Sequence, residues 1–282
     1  MYAGIKRNWG RIKPTGAVVD FGHPLSKGLV CASTMYEGGG QSIRSIVRDR
    51  IGTFTGGTLW SRGMIGGPCI SLDGSGDYVD YGVDPAYADF SGIFTVSIWI
   101  KPTLSDATDR EIASVGGLAS NWKWIILKWN GATSDILFAV SNSGGSAIAQ
   151  PITSGVSVNN GNWHHIVCTS AYNGTTVSAE IFINGISRAT ASGTGTPGSG
   201  GTNPLRLGFA TFVNRSDFSG LLDNFMLWNR TLKSQEITQL YREPFCMFRP
   251  FGRIGYDQAA VAGGDVYSGR GIGRGISRGV YR

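Results

Sequence analysis

Short stretches in which apolar and polar residues alternate recur along most of the chain. In FTVSIWIKP, residues 94–102, every second residue from Phe94 to Ile100 is a large apolar one. Successive strand side chains point to opposite faces of a sheet, so these apolar residues share one face. The pattern predicts a half-buried antiparallel strand that ends at Pro102.

A second alternating run, residues 177–183, leads into Asn184 and Gly185. This pair tolerates the positive φ angles of a tight turn, so the segment predicts a β-hairpin. Many short strands at such spacing are typical of an all-β sandwich or jelly roll with antiparallel sheets. Further strands are predicted at residues 69–72, 78–81, 124–129, 136–140, 163–169, 205–209 and 221–228.

One segment has the periodicity of a helix: LKSQEITQLYRE, residues 232–243. Ser234 is placed to cap its N-terminus, and the apolar residues from Ile237 to Tyr241 share a face. Pro244 ends the pattern. A single short helix is therefore expected after the last strand, packed against the sandwich.

Charge divides the chain of 282 residues into three parts. Four basic residues and no acid lie in the first 19 residues (+4), 15 basic and 17 acidic residues lie between 20 and 243 (−2), and six arginines face two aspartates in the last 39 (+4). Basic ends on a nearly neutral body indicate contact with an acidic partner, or simply solvated ends. We predict a basic N-terminal arm (1–22), one β domain (23–243) and an Arg/Gly-rich C-terminal arm (244–282).

The C-terminal arm ends in a short repeat, RGIG, RGIS and RGVY. Each unit offers a cation and an aliphatic side chain but no core of its own. Because aromatic and aliphatic residues are interleaved with the arginines, docking on neighbouring protein subunits, including copies of this chain, is favoured over nucleic-acid binding. The predicted assembly contacts are Phe245, Phe248, Arg249, Phe251, Arg270, Arg274, Arg278 and Arg282.

Five motifs, in order, resemble the laminin-G-like or concanavalin A-like lectin jelly rolls over residues 20–243. In the last of them a strand carrying L-D-N is followed by N-R-T-L and a short helix. The motifs are CISLDGSGDYVDYG from Cys69, FTVSIWIKP from Phe94, NWHHIVCT from Asn162, IFINGI from Ile181 and FSGLLDNFMLWNRTLKSQEITQLY from Phe218.

Two further stretches are similar to laminin-G-like proteins of tailed bacteriophages: HPLSKGLVCASTMYEGGG from His23 and LYREPFCMFRP from Leu240. This resemblance implies a non-enzymatic virion protein: a capsid decoration, fibre or tail-associated subunit that docks through its arms and displays a lectin-like jelly roll to a host-surface glycan. The alternative is a free carbohydrate-binding module, with calcium dependence. We find no signal peptide and no run of ~20 apolar residues, so synthesis in the host cytoplasm without membrane insertion is expected.

Two common catalytic patterns lack the residues or the context they need. No E-x-D-x-E or E-x-D-x-x-E strand motif offers paired carboxylates for glycoside hydrolysis, and no G-x-S-x-G stands between a strand and a helix, where a nucleophile elbow would lie. The adjacent histidines His164 and His165 sit on one predicted strand and must point to opposite faces, so they cannot converge on one ligand. Four widely spaced cysteines without a C-x-x-C pair indicate buried thiols.

Two ligand sites remain as candidates. Asp73, Asp223 and Asn224 lie in motifs that match the family's, and the resemblance makes them calcium ligands; the alternative is that they form turns and bind backbone groups. No cofactor is required. For carbohydrate, the candidates are Trp122 and Trp124 on one strand face and Trp129 on the other, with core packing as the alternative.

Overall fold

The structure is a computed structural model in which two β-sheets pack face to face. All the residues it describes fall within one compact unit, residues 1–251; the second unit, Gly252–Arg282, lies outside them. The described residues are 13, 16–88, 90–103, 108–116, 122–129, 134–198, 203–209 and 216–250.

The first sheet is nine-stranded in the described part of the chain, and its pairs are antiparallel except for the short β17. In spatial order it contains β12 (Ala147–Ala149), β11 (Asp135–Ser141), β10 (Trp122–Trp129), β9 (Arg110–Gly116), β16 (Pro204–Leu207), β7 (Tyr78–Val83), β4 (Ile51–Thr55) and β3 (Ser42–Arg44), while β17 (Ser216–Asp217) pairs parallel with β9.

The second sheet has eight described strands, all antiparallel. In spatial order it contains β15 (Ile186–Thr194), β14 (Thr176–Ile183), β13 (His164–Tyr172), β8 (Phe94–Pro102), β18 (Ser219–Trp228), β6 (Pro68–Asp73) and β5 (Leu59–Arg62), and β2 (Leu29–Ser33) also pairs with β18. The predicted antiparallel sandwich with one short helix after the last long strand is confirmed.

The main hydrophobic core lies between the two sheets. Strand β8 supplies its predicted apolar face, and Phe94, Ile98 and Ile100 are at most 3% exposed. The hairpin turn is also where the sequence predicts it, since Asn184 and Gly185 have φ angles of 54° and 78°. Burial of apolar area between the sheets is the main stabilising term of such a fold.

A second apolar layer covers the outer face of the eight-stranded sheet. Helix α2 (Ser234–Arg242) lies there, and its Ile237 and Leu240 are buried in one apolar cluster with Met226 and Trp228 of β18. The polar face of β8 is therefore buried as well, and the prediction of a half-buried strand is wrong for that reason.

The N-terminus of α2 is held by side chains that the sequence analysis did not assign. Ser234 is the first helical residue, and Lys233 precedes it as the N-cap. The Glu236 carboxylate accepts a hydrogen bond from the Lys233 backbone N–H (2.8 Å) and two from the Arg230 guanidinium (2.7 and 2.8 Å). A carboxylate in the first turn also complements the helix dipole.

The ends of the described chain form a two-stranded sheet on this second layer. Strand β1 (Ala17–Val19) pairs antiparallel with β19 (Phe248–Pro250), and we call this pair the terminal ribbon. Val19 and Phe248 are buried in the second layer. Residues assigned to the two arms therefore belong to the folded unit, because their apolar side chains cover a sheet face.

Two small helical elements complete the description: a 3-10 turn at Pro24–Ser26 and α1 (Pro85–Ala88). Cys31, Cys69 and Cys168 are buried and Cys246 is half-buried, all as free thiols. No helix in the described part of the chain is both long and apolar enough to cross a membrane.

Candidate functional site

Asp223 is a buried carboxylate at the centre of β18. Its Oδ1 lies 2.5 Å from the Nζ of Lys13, and the two side chains are 0% and 5% exposed. The backbone N–H of Met64 donates to its other oxygen (3.3 Å). Burial raises the pKa of Asp223 to about 6, although the Lys13 ammonium acts to lower it. The cation beside Asp223 is thus supplied by the chain itself.

The predicted calcium ligands are not gathered at one point. Asp73 pairs with Ser219, four residues before Asp223 along β18, and its carboxylate accepts a hydrogen bond from the Ser75 N–H (2.7 Å). Within the described ranges, no three His, Cys, Asp or Glu side chains are grouped so that they could hold a metal ion. In this structure Asp73 accepts a backbone hydrogen bond in a turn, which is the alternative to calcium binding given for it above.

Asn224 occupies an irregular point of β18. Its φ is +49°, the register between β18 and β8 shifts between Asp223 and Met226, and its Nδ2 lies 3.5 Å from the Pro244 carbonyl oxygen. Its side-chain oxygen is buried and has no hydrogen-bond partner among the described residues. Asn tolerates the left-handed region better than most residues, which explains its place at the bulge.

The three candidate tryptophans of β10 are not presented together. Trp124 is 1% exposed in the main core, and Trp122 is 7% exposed on the opposite face, against Ile125 and Leu137. The prediction that Trp122 and Trp124 share a face is wrong because a register shift between them breaks the alternation. Both rings are used for packing, and the side chain of Trp129 lies outside the described part of the chain.

The two histidines point to opposite faces, as predicted. His165 is fully buried on the outer face beneath α2, and its ring lies beside those of Trp99 and Tyr241 (centroids 4.9 and 6.1 Å away), which are themselves 5.7 Å apart. Its Nε2 lies 2.8 Å from the Ser97 hydroxyl. This Ser–His pair has the spacing of a nucleophile and its base, but no substrate reaches it because both side chains are buried.

The phenylalanines predicted to make assembly contacts are internal. Phe245 is 1% and Phe248 5% exposed, both in the second layer, so their assignment as contacts for other subunits is corrected. Arg249 remains 67% exposed and pairs with Asp20. Phe251, Arg270, Arg274, Arg278 and Arg282 lie outside the described residues.

A cation–aromatic cluster lies on the outer face of the nine-stranded sheet. The Arg206 guanidinium carbon is 4.6 Å from the ring centroid of Phe209 and 5.7 Å from that of Tyr78. The two rings are 4.7 Å apart, and Arg206 Nε donates to Asp80 (2.8 Å). We call Tyr78, Asp80, Arg206 and Phe209 the Arg206 cluster; all four are half-buried.

Strand register fixes this cluster. Asp80 lies opposite both Arg206 on β16 and Thr53 on β4, and Arg206 lies opposite Ser114 on β9. The core-facing residues Val79 and Tyr81 flank Asp80, so Asp80 must point outward. The result is a polar row across the sheet, bordered by aromatic rings.

Sequence analysis missed the Arg206 cluster, although strands were predicted at 78–81 and 205–209. Alternation alone places Tyr78 and Asp80 on one face and Arg206 between the apolar residues Leu205 and Leu207. What alternation cannot show is that β7 and β16, more than 120 residues apart in sequence, are neighbours. Only the pairing brings Asp80 to Arg206.

A family profile described as the concanavalin A-like lectin/glucanases superfamily matches residues 73–238, more than half of the chain. The chain belongs to this superfamily. The matched range holds the Arg206 cluster and most of α2. No curated protein matches the chain.

Several solved structures share the sandwich. Domain 4 of a GH43 extracellular arabinanase from Geobacillus stearothermophilus, in complex with arabinotriose, is 17% identical with a TM-score of 0.59, covering 76% of this chain and 98% of that domain. The binding domain of Paraclostridial Mosquitocidal Protein 1 is 17% identical (TM-score 0.59; 78% and 53% covered). The binding domain of botulinum neurotoxin DC in complex with SialylT is 13% identical (TM-score 0.58; 76% and 51% covered). This chain therefore spans about half of each of the two toxin structures.

Proposed function

We propose that this chain is a non-enzymatic glycan-binding protein and that the Arg206 cluster is part of its glycan-binding face. The cluster carries the proposal because it combines half-exposed aromatic rings with a charged hydrogen-bonding pair. Sugar rings pack their C–H faces on aromatic side chains, and their hydroxyls bind carboxylates and guanidinium groups. Calcium is not needed by this arrangement.

Two structural neighbours support the choice of ligand. The arabinanase domain was solved in complex with arabinotriose and the neurotoxin binding domain in complex with SialylT, so sandwiches of this architecture hold a bound ligand in both structures. At identities of 17% and 13% the likeness is one of fold, and it does not indicate which sugar this chain takes. The Arg206 cluster is where we place the contact.

Replacing Arg206 by alanine is expected to weaken glycan binding about tenfold, the effect of losing one charge-assisted hydrogen bond. A glycan array, with and without calcium, first identifies the ligand, and titration calorimetry then compares the variants. R188A is the matched control, because Arg188 is an exposed arginine on β15 of the other sheet. The proposal fails if the array shows no ligand, or if R206A and R188A bind equally well.

We further propose that the protein is anchored in a larger assembly, a bacteriophage virion, through its two termini, with the sandwich displayed outward. The terminal ribbon favours this, because Ala17 pairs with Pro250 and the chain's two basic ends therefore start at one place. A shared starting point lets both ends engage one partner surface, including copies of the same chain. Ionic and apolar contacts of the Arg-Gly repeat are the proposed attachment.

Removal of residues 251–282 tests the anchoring. The truncated chain keeps β19 and is expected to fold with unchanged melting temperature while losing incorporation into particles, measured by mass spectrometry of purified virions. Alanine replacement of Arg270, Arg274, Arg278 and Arg282 in the full chain separates charge from length. Normal incorporation of the truncated chain contradicts the proposal, whatever the outcome for glycan binding.

A further inference from the structure

The turn between β5 and β6 encloses the side chain of Lys13. The Lys13 ammonium donates both to Asp223 and to the Pro68 carbonyl oxygen, which lies at the end of this turn. A Cβ atom added to Gly67 would lie 2.6 Å from Cδ of Lys13, so the lysine stem passes directly over this glycine. The pocket is therefore shaped around a long aliphatic amine.

Gly63 forms the other wall of the pocket. Its backbone N–H donates to the Gly67 carbonyl (2.6 Å), which closes the turn. An added Cβ would collide with the carboxylate of Asp223 and would lie 3.0 Å from the carbonyl oxygens of both Gly67 and Pro68. Both walls of the pocket are glycines, and a larger residue at either position would close the space that the lysine fills.

The acceptors match an ammonium group. An ammonium is a compact donor with three N–H bonds, and it suits one carboxylate and one carbonyl at hydrogen-bond distance. A calcium ion takes six to eight oxygens, and the three predicted ligands do not meet here. The predicted calcium site and the observed contacts therefore disagree at Asp223.

We infer that Asp223, Pro68 and the glycines of the 63–67 turn form a binding pocket for a primary ammonium group, which Lys13 fills in place of a metal ion. Filling the pocket ties the N-terminal segment to the sandwich at a point 210 residues away in sequence. The Lys13 side chain is 5% exposed and the Asp223 side chain 0% exposed, so water does not solvate the two charges and each compensates the other.

The test is chemical rescue of K13A, which lacks the atoms from Cγ to Nζ. Leaving Asp223 buried without its partner is expected to lower the folding equilibrium constant on the order of a hundredfold. Urea denaturation is then repeated with n-propylammonium chloride, which replaces the missing atoms, with calcium chloride, and with potassium chloride at matched ionic strength. Propylammonium is expected to restore stability in a saturable way, and the two other salts are not.

Matched controls separate this pocket from ordinary surface charge. R44A removes one partner of the Arg44–Asp49 pair, whose side chains are 55% and 74% exposed, and should change stability little, with no response to propylammonium. Restoration of K13A by calcium equal to that by propylammonium would show a metal site and overturn the inference. Wild-type stability of K13A would overturn it too.

K13R provides the test if K13A does not fold. Arginine keeps the positive charge, but its planar guanidinium is larger than an ammonium. The space between Gly67 and Asp223 has no room for the extra atoms. K13R is expected to lose at least about tenfold in the folding equilibrium constant. Full stability of K13R would show that the pocket does not select an ammonium, and neither result depends on glycan binding.

Discussion

Replacing Phe245 by alanine is expected to destabilise the protein by about 3–5 kcal/mol, the range for removing a buried phenylalanine from a core. Phe245 is 1% exposed in the second layer, and its ring centroid is 6.5 Å from that of Phe248. The stability of a whole domain is about 5–15 kcal/mol, so the loss is a large share of it. The segment after α2 would thereby be shown to be part of the fold.

The matched control for this prediction is F21A. Phe21 is the same residue type but is 78% exposed beside the terminal ribbon. Its removal is expected to change the free energy of unfolding by no more than about 0.5 kcal/mol. Both variants are measured by urea denaturation. Equal effects of F245A and F21A would contradict the packing described here and return Phe245 to a flexible arm.

The assignment of Phe245 to the C-terminal arm shows which part of the fold the sequence did not predict. Alternation predicted the strand 94–102, and helical periodicity predicted the helix after the last long strand, because both signals are local. The second layer depends on residues far apart in sequence, such as Val19 and Phe248, that cover one sheet face together. The residue types of the aromatic segment after α2 do not indicate which surface it will cover.

The candidate ligand residues show the same dependence on contacts that are distant in sequence. A one-residue register shift reversed the face of Trp122, and no pattern in NWKWIILKW marks it. Asp223 was named as a candidate calcium ligand, whereas the cation beside it is Lys13, which lies 210 residues earlier in the sequence. Residue type predicted the chemistry of Asp223, whereas only the folded chain shows which cation satisfies it.

The second large effect is expected in the pH dependence of stability. Complete burial lowers the pKa of His165 to about 3, well below the usual value of 6.5. The unfolded state therefore binds a proton between these values while the folded state does not. The contribution of His165 is fully present above pH 6.5 and declines by about 1.4 kcal/mol per pH unit as the pH falls towards 3, on the order of 5 kcal/mol in all.

Asp223 acts in the opposite direction over part of this range. Its raised pKa means that the folded state binds the extra proton between pH 3.8 and about 6, so this group alone favours the folded state at the lower pH. Burial also lowers the pKa of His164, which adds to the effect of His165. The pKa values of Asp20 and Glu236 are also lowered, both by hydrogen bonds to arginine side chains, so a single pH profile of the wild-type protein mixes several groups.

The difference between the wild-type protein and H165Q isolates His165, because Asp223 and His164 are common to both. Urea denaturation between pH 4 and 8 is expected to show a constant difference above pH 6.5 and a wild-type advantage that shrinks steadily below it. H23N serves as the control for replacing a histidine outside the second layer, since His23 lies in the turn before Pro24. Parallel profiles for wild type and H165Q would mean that the folded protein accepts a proton on His165, and the stacked, dry environment beneath α2 would have to be abandoned.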